Sequence, residues 1–196
     1  MSCEHCCYSC TAEGEDMSKE VFDAAIKLCE DWGSYIILGG GEPTLHPKFR
    51  EYLIDAIVAD AEEGVFVITN GSIKKHALLL AKLAKKNVLQ AELSRDEFHD
   101  IIDPEVVKAF DGRYRDVTNK GTRNPVAVGR ALTVLEIEPG EYSNCACEDF
   151  FIKPDGTIRH CGCDDSPIIG NVFEGIKECE WGVCYKDAEE SYPTLI

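Results

Sequence analysis

From Ser18 onward the apolar positions switch between two periods. Val21, Ala25, Ile26, Leu28 and Cys29 recur among charged residues at the spacing of one helix face, with Ser18 ahead of them as a cap and Glu20 in the first turn. The pattern predicts a helix from Ser18 to about Trp32. Tyr35–Leu38 is a short unbroken apolar run, as in a strand buried on both faces. A second helix is expected over 48–62, with Phe49, Leu53, Ile54, Ile57 and Val58 on one broad face and Gly64 ending it. Val65–Thr69 is the next strand, Asn70-Gly71 a turn pair, Ile73–Lys85 a third helix, and Val88–Leu93 a further strand ending at Ser94. Pro104 opens a helix over Asp103–Asp111, Arg113–Thr118 has weak strand character, and Val134–Ile137 reads as a last strand before Pro139-Gly140. Helices alternating with buried strands imply an α/β fold whose sheet is mainly parallel.

After residue 140 the pattern changes. Cys145 and Cys147, then Cys161 and Cys163, flank F-F-I-K-P-D-G-T-I-R-H, a β-hairpin with its turn at Pro154-Asp155-Gly156. A hairpin brings two C-x-C pairs together, and Cys179 and Cys184 offer alternative ligands; four sulfurs suit zinc as well as an iron–sulfur cluster. The expected division is a core over 1–140 and a metal-binding extension over 141–196.

The amino terminus carries a second cysteine field. Between Cys3 and Cys10 the chain reads C-E-H-C-C-Y-S-C, with Cys6 and Cys7 between the outer pair and no apolar pattern around them. Such density serves a soft metal or cluster better than packing. Of the chain's 11 cysteines only Cys29 lies in the long middle, which fits reduced metal-binding thiols better than a secreted disulfide scaffold.

Charge narrows the function classes. With 36 acidic and 20 basic residues the formal net charge is −16, which disfavours a nucleic-acid surface or an anionic membrane face. No apolar stretch has the length of a signal peptide or membrane span, so a cytoplasmic location is expected. Arg115, Arg123 and Arg130 are candidate anion contacts, although a surface charge is the commoner role for any one of them.

Two polar segments follow strands. Gly39–Thr44 reads G-G-G-E-P-T directly after Tyr35–Leu38, so that glycines let the backbone approach a ligand while Glu42 supplies a carboxylate. Ser94–Asp100 reads S-R-D-E-F-H-D after a later strand, at the end where parallel α/β folds place ligands.

Together these motifs resemble the radical S-adenosylmethionine superfamily. Cys3, Cys7 and Cys10 have the spacing of its three-cysteine cluster motif, although Ser9 stands where an aromatic residue usually precedes the third. In a second register Cys3 and Cys6 are the last two ligands, His5 takes the aromatic place, and the first cysteine lies upstream of a chain begun at an internal methionine. Gly40, Gly41, Glu42 and Pro43 match the family segment that holds the amino group of the cofactor's methionine part. Asn70 sits in a turn that recurs in relatives, and Ser94, Arg95 and Asp96 match the segment that approaches the cofactor's carboxylate and ribose; His99 is equally a structural or a catalytic residue. The tail resembles the auxiliary-cluster extensions called SPASM and twitch: Cys145, ten residues, Gly156, four residues and Cys161, followed by I-I-G-N-V at Ile168–Val172.

The resemblance implies a partial, open TIM-like barrel with a small cysteine-rich hairpin extension, although the strands counted are few for it. It implies a [4Fe-4S] cluster and S-adenosylmethionine as cofactors, one auxiliary iron–sulfur cluster with zinc as its alternative, and a reductant such as flavodoxin or ferredoxin. The implied reaction is reductive cleavage of S-adenosylmethionine to a 5′-deoxyadenosyl radical for hydrogen abstraction, with a peptide as leading substrate and a small metabolite as the other. An iron–sulfur electron carrier or zinc-stabilised binding protein would leave G-G-G-E-P and S-R-D unexplained.

Overall fold

The computed structural model describes residues 4, 6, 8–59, 64–95, 99–115, 129–134, 150–163 and 166–177. These fall into two compact units. The first takes in Cys10–Ala12 and the chain from Ile26 to Arg115; the second takes in Glu4, Cys6, Tyr8, Ser9, Glu13–Ala25 and the described residues from Gly129 onward.

The first unit is built on a parallel sheet of four strands in sequential order, β1 (Ile36–Leu38), β2 (Val65–Thr69), β3 (Gln90–Ser94) and β4 (Tyr114–Arg115). Ile36 pairs with Val65, Thr69 with Leu93 and Ser94 with Arg115, so the strands end together at one rim. Helix α1 (Lys19–Trp32), of which only Ile26–Trp32 belong to this unit, precedes β1 in the chain, and α2 (Phe49–Ala59), α3 (Lys74–Lys85) and α4 (Pro104–Phe110) alternate with the strands, the βα order of a partial TIM-like barrel. Along β2, Val65, Val67 and Thr69 are buried while Phe66 and Ile68 are half-buried, the two-residue period of a strand. Facing residues recur on α3 as Ala77, Leu80, Ala81 and Ala84, one helical stripe.

Local signals set most boundaries. Ser18 Oγ accepts from Val21 N–H at 3.2 Å and so caps α1. Asp103 Oδ1 accepts from Glu105 N–H at 2.8 Å and caps α4, where Pro104 occupies the first turn. Asp111 ends that helix in the left-handed region at φ 46°.

Three expectations need correction. The buried face of α2 is Phe49, Tyr52, Leu53 and Ala56, whereas Ile54 and Val58 are 59% and 77% exposed. Phe49 and Leu53 are buried as expected and Ile57 is half-buried, but the face extends to Tyr52 and Ala56 rather than to Ile54 and Val58, because apolar residues stand on both sides of this helix. Strand β3 begins at Gln90 rather than Val88, since Val88 N–H donates to Leu83 O and so closes the end of α3. Val134 ends the helix α5 (Gly129–Val134) instead of opening a strand, and residues 135–137 lie outside those described.

The second unit contains an antiparallel sheet of β5 (Phe151–Ile152), β6 (Thr157–Arg159), β7 (Ile168–Asn171) and β8 (Gly175–Ile176). The expected hairpin joins β5 to β6, with Ile152 opposite Ile158. Gly156 in its turn has φ +85°, and an added Cβ would lie 3.0 Å from Val172 Cγ2, so both backbone and space require glycine. Gly170 has a different reason: an added Cβ there would collide with the Gly175 carbonyl across the β7–β8 pair. Ile158 in β6, Ile169 in β7 and Val172 just after β7 are buried.

Candidate active site

The β1 exit is held by one carboxylate. Glu42 is 9% exposed, and its Oε1 accepts from Thr44 N–H at 3.1 Å, from Thr69 Oγ1–H at 2.7 Å and from Thr44 Oγ1–H. Its Oε2 accepts from Asn70 N–H at 2.7 Å. The ends of β1 and β2 are thus tied together through a side chain that stands 28 residues from its farther partner. Pro43 opens a short 3-10 turn (Pro43–Leu45) for which Glu42 is the cap, and His76 Nδ1 lies 3.0 Å from Thr44 O, where a ring nitrogen must donate.

Glycines shape the same rim. Gly40 has φ +100°, a conformation that β-carbons resist. At Gly41 an added Cβ would lie 3.6 Å from both Cys10 Cβ and Cys10 Sγ, so this backbone runs beside a sulfur of the amino-terminal cysteine loop. The G-G-E segment and Cys10 therefore share one place. A soft sulfur donor next to an open glycine backbone and a buried carboxylate fits a cluster with a cofactor's amino-acid part alongside.

Other expected residues fall as follows. Asn70 follows β2, and its Oδ1 accepts from Ser72 N–H at 2.9 Å, a side-chain-closed turn. Gly71 has φ +75°, and an added Cβ would meet Leu93, Ile102 and Val106 side chains at 3.0–3.2 Å. Its structural role in the turn pair is thereby explained. Ser94 is the last residue of β3, half-buried at the same rim, and Arg95 just beyond it is exposed. Asp96 lies outside the described residues, as do Cys3, Cys7, Cys145, Cys147, Cys179 and Cys184. Among the described residues, no three His, Cys, Asp or Glu side chains are grouped as a metal ion requires. A cleft of about 240 Å³ lies beside this rim, lined by Asn70, Ser72, Lys74, His99 and Asp100.

In the second unit, Cys161 is buried and Cys163 half-buried. Ser166, 1% exposed, joins them: its Oγ–H donates to Cys161 O at 2.7 Å and its N–H donates to Cys163 O at 3.1 Å. Arg159 Nη1 adds a 2.5 Å bond to Ser166 O. Ser166, Thr44, Thr69 and His76 were given no role by the sequence. Thr69 at a strand end and Thr44 two residues after Glu42 were visible, but what they touch was not.

Comparison with known proteins settles the family. The profile of the Radical SAM superfamily matches residues 1–128, well over half of the chain. The chain belongs to this superfamily. Radical SAM enzymes use S-adenosylmethionine with an iron–sulfur cofactor, and their shared chemistry is cleavage of that molecule to a 5′-deoxyadenosyl radical. Among solved structures, that of BtrN in complex with AdoMet and 2-DOIA has a similar fold, with a TM-score of 0.58 at 14% identity over 88% of this chain and 73% of that one. None of the curated proteins compared matches the sequence. Among the described residues no helix is long and apolar enough to cross a membrane.

Proposed function

We propose that this radical SAM enzyme abstracts a hydrogen atom from its substrate, with Glu42 receiving the ammonium group of S-adenosylmethionine. The observation that carries this reading is the meeting of Gly41 and Cys10 beside a carboxylate already fixed by Thr44, Thr69 and Asn70. Oε1 takes three donors and Oε2 one, so a further cationic donor finds capacity on the Oε2 side. Gly40 and Gly41 leave the backbone bare for the same group. Ser94 at the end of β3 and Arg95 just beyond it are assigned, with Asp96, to the carboxylate and ribose.

Cys3, Cys7 and Cys10 are assigned as the cluster ligands, a register supported by the position of Cys10 next to Gly41. A cluster bound there supplies the electron for cleavage. Cys161 and Cys163, with Cys145 and Cys147, are assigned to one auxiliary site, and Cys179 and Cys184 remain its alternatives. A peptide side chain is the first substrate to test, because the tail resembles extensions found in peptide-modifying relatives. A small metabolite is the second reading, because the BtrN structure of similar fold holds 2-DOIA.

The test is 5′-deoxyadenosine formation by the anaerobically reconstituted chain under a strong reductant, beside its iron content. Cys10→Ala should abolish the product while Cys6→Ala retains it. Full iron loading without product in the parent chain would reject the activity, and equal loss in both variants would reject the register.

A further inference from the structure

Gly162, between Cys161 and Cys163, has no backbone reason to be glycine, since it is not among the residues of positive φ. Its reason is steric. An added Cβ would overlap the ring of Tyr8, colliding with Cε1 and lying 3.0 Å from Cζ and 3.1 Å from Cδ1. The same ring stacks on Phe151 of β5 with centroids 4.8 Å apart and planes 12° from parallel. The loop carrying Tyr8 is tied down again within this unit, because Cys6 O accepts from Arg130 N–H at 3.0 Å and from Ser9 N–H at 3.4 Å.

We propose that Tyr8 is a positioning residue for the carboxyl-terminal sulfur pair, its ring closing over Gly162 and limiting how far solvent and reagents reach Cys161 and Cys163. This rests on the assignment of those two cysteines as metal ligands. The apolar shell around a metal site governs water access and with it metal retention, so a ring laid on the peptide between two ligands acts on both. The amino-terminal cysteine segment thus has a second task beyond any ligands it contributes. Stacking on Phe151 is a property of the ring and not of its hydroxyl, so Tyr8→Phe should preserve the cover.

The experiment is a double-substitution cycle on the full chain, measuring release of the tail metal to a chelator and, in the metal-free chain, alkylation rates of Cys161 and Cys163 by mass spectrometry. Tyr8→Phe should match the parent. Tyr8→Ala and Gly162→Ala should each release metal and react several-fold faster, and the double variant should be no faster than either. Should Gly162→Ala alone fail to fold, Tyr8→Ala must rescue it by vacating the space. Additive effects in the cycle, unchanged rates in Tyr8→Ala, or absence of that rescue would overturn the role of Tyr8. If Cys161→Ser and Cys163→Ser leave iron and zinc contents unchanged, the ligand assignment fails, and the positioning role fails with it.

Discussion

Glu42 carries two burdens that a single substitution separates. Its carboxylate accepts four hydrogen bonds and offers no donor in return, so Glu42→Gln must turn an NH₂ toward either Asn70 N–H or the donors on Oε1. The metal-free chain should lose about 1–3 kcal/mol in denaturant unfolding, the usual penalty for a buried group left unsatisfied. Binding of S-adenosylmethionine to the reconstituted protein should weaken beyond that, and a variant of unchanged stability would show that the hydrogen-bond network contributes little. Cys29 supplies a second test. Burial first, and then the neighbouring Glu30 charge, push its thiol up from 9.0 to about 11. Between those values the folded chain keeps a proton that the unfolded chain has released, so stability should fall as pH rises from 9 through about 11. Cys29→Ala should flatten that part of the pH profile relative to the parent, and parallel profiles would contradict the shift.

Helix α2 shows how far a periodic pattern reaches. Sequence identified the helix, yet placed Ile54 and Val58 inward, where the structure buries Tyr52 and Ala56. Periodicity reports that one face is apolar, but a helix with apolar residues on two sides needs a neighbour to choose between them. Val58→Lys should therefore change unfolding free energy by no more than about 0.5 kcal/mol, as for other surface positions. Ala56→Leu, at a site with no exposure, should cost about 1–3 kcal/mol through overpacking. A reversed order in urea titrations would restore the original face. The hairpin around Gly156 was legible because its turn chemistry is local, and so was the cap at Ser18. The start of β3 was not, because the backbone of Val88 is taken up by the preceding helix.

At the scale of the molecule the excess of acid dominates. A formal charge of −16 repels itself in the folded state more than in the expanded chain. The visible surface pairs do little against it: Lys74 Nζ meets Asp103 at 2.9 Å and Glu105 at 2.7 Å, but all three side chains are exposed. Added sodium chloride, from about 0.02 to 0.2 M, should then raise the thermal midpoint of the metal-free chain by screening. A falling midpoint would mean that ion pairs of the Lys74 kind outweigh the net repulsion.

The alternation of helix and parallel strand, the hairpin, the glycine-rich exit and the resemblance to the radical SAM superfamily were all determined by sequence alone. Each rests on interactions among near neighbours in the chain: side-chain period, turn sterics, capping, and short motifs whose chemistry needs closely spaced residues. The tertiary structure decided the rest. It set Glu42 against Thr69 and Asn70, brought Cys10 to Gly41, and laid Tyr8 on Gly162 near the other end of the chain. Such pairings depend on where intervening strands and helices carry the chain, and no local preference encodes that path. Glycine could be read as a turn residue at 40, 71 and 156, where φ is positive, but at 162 only the arrival of a distant ring explains it.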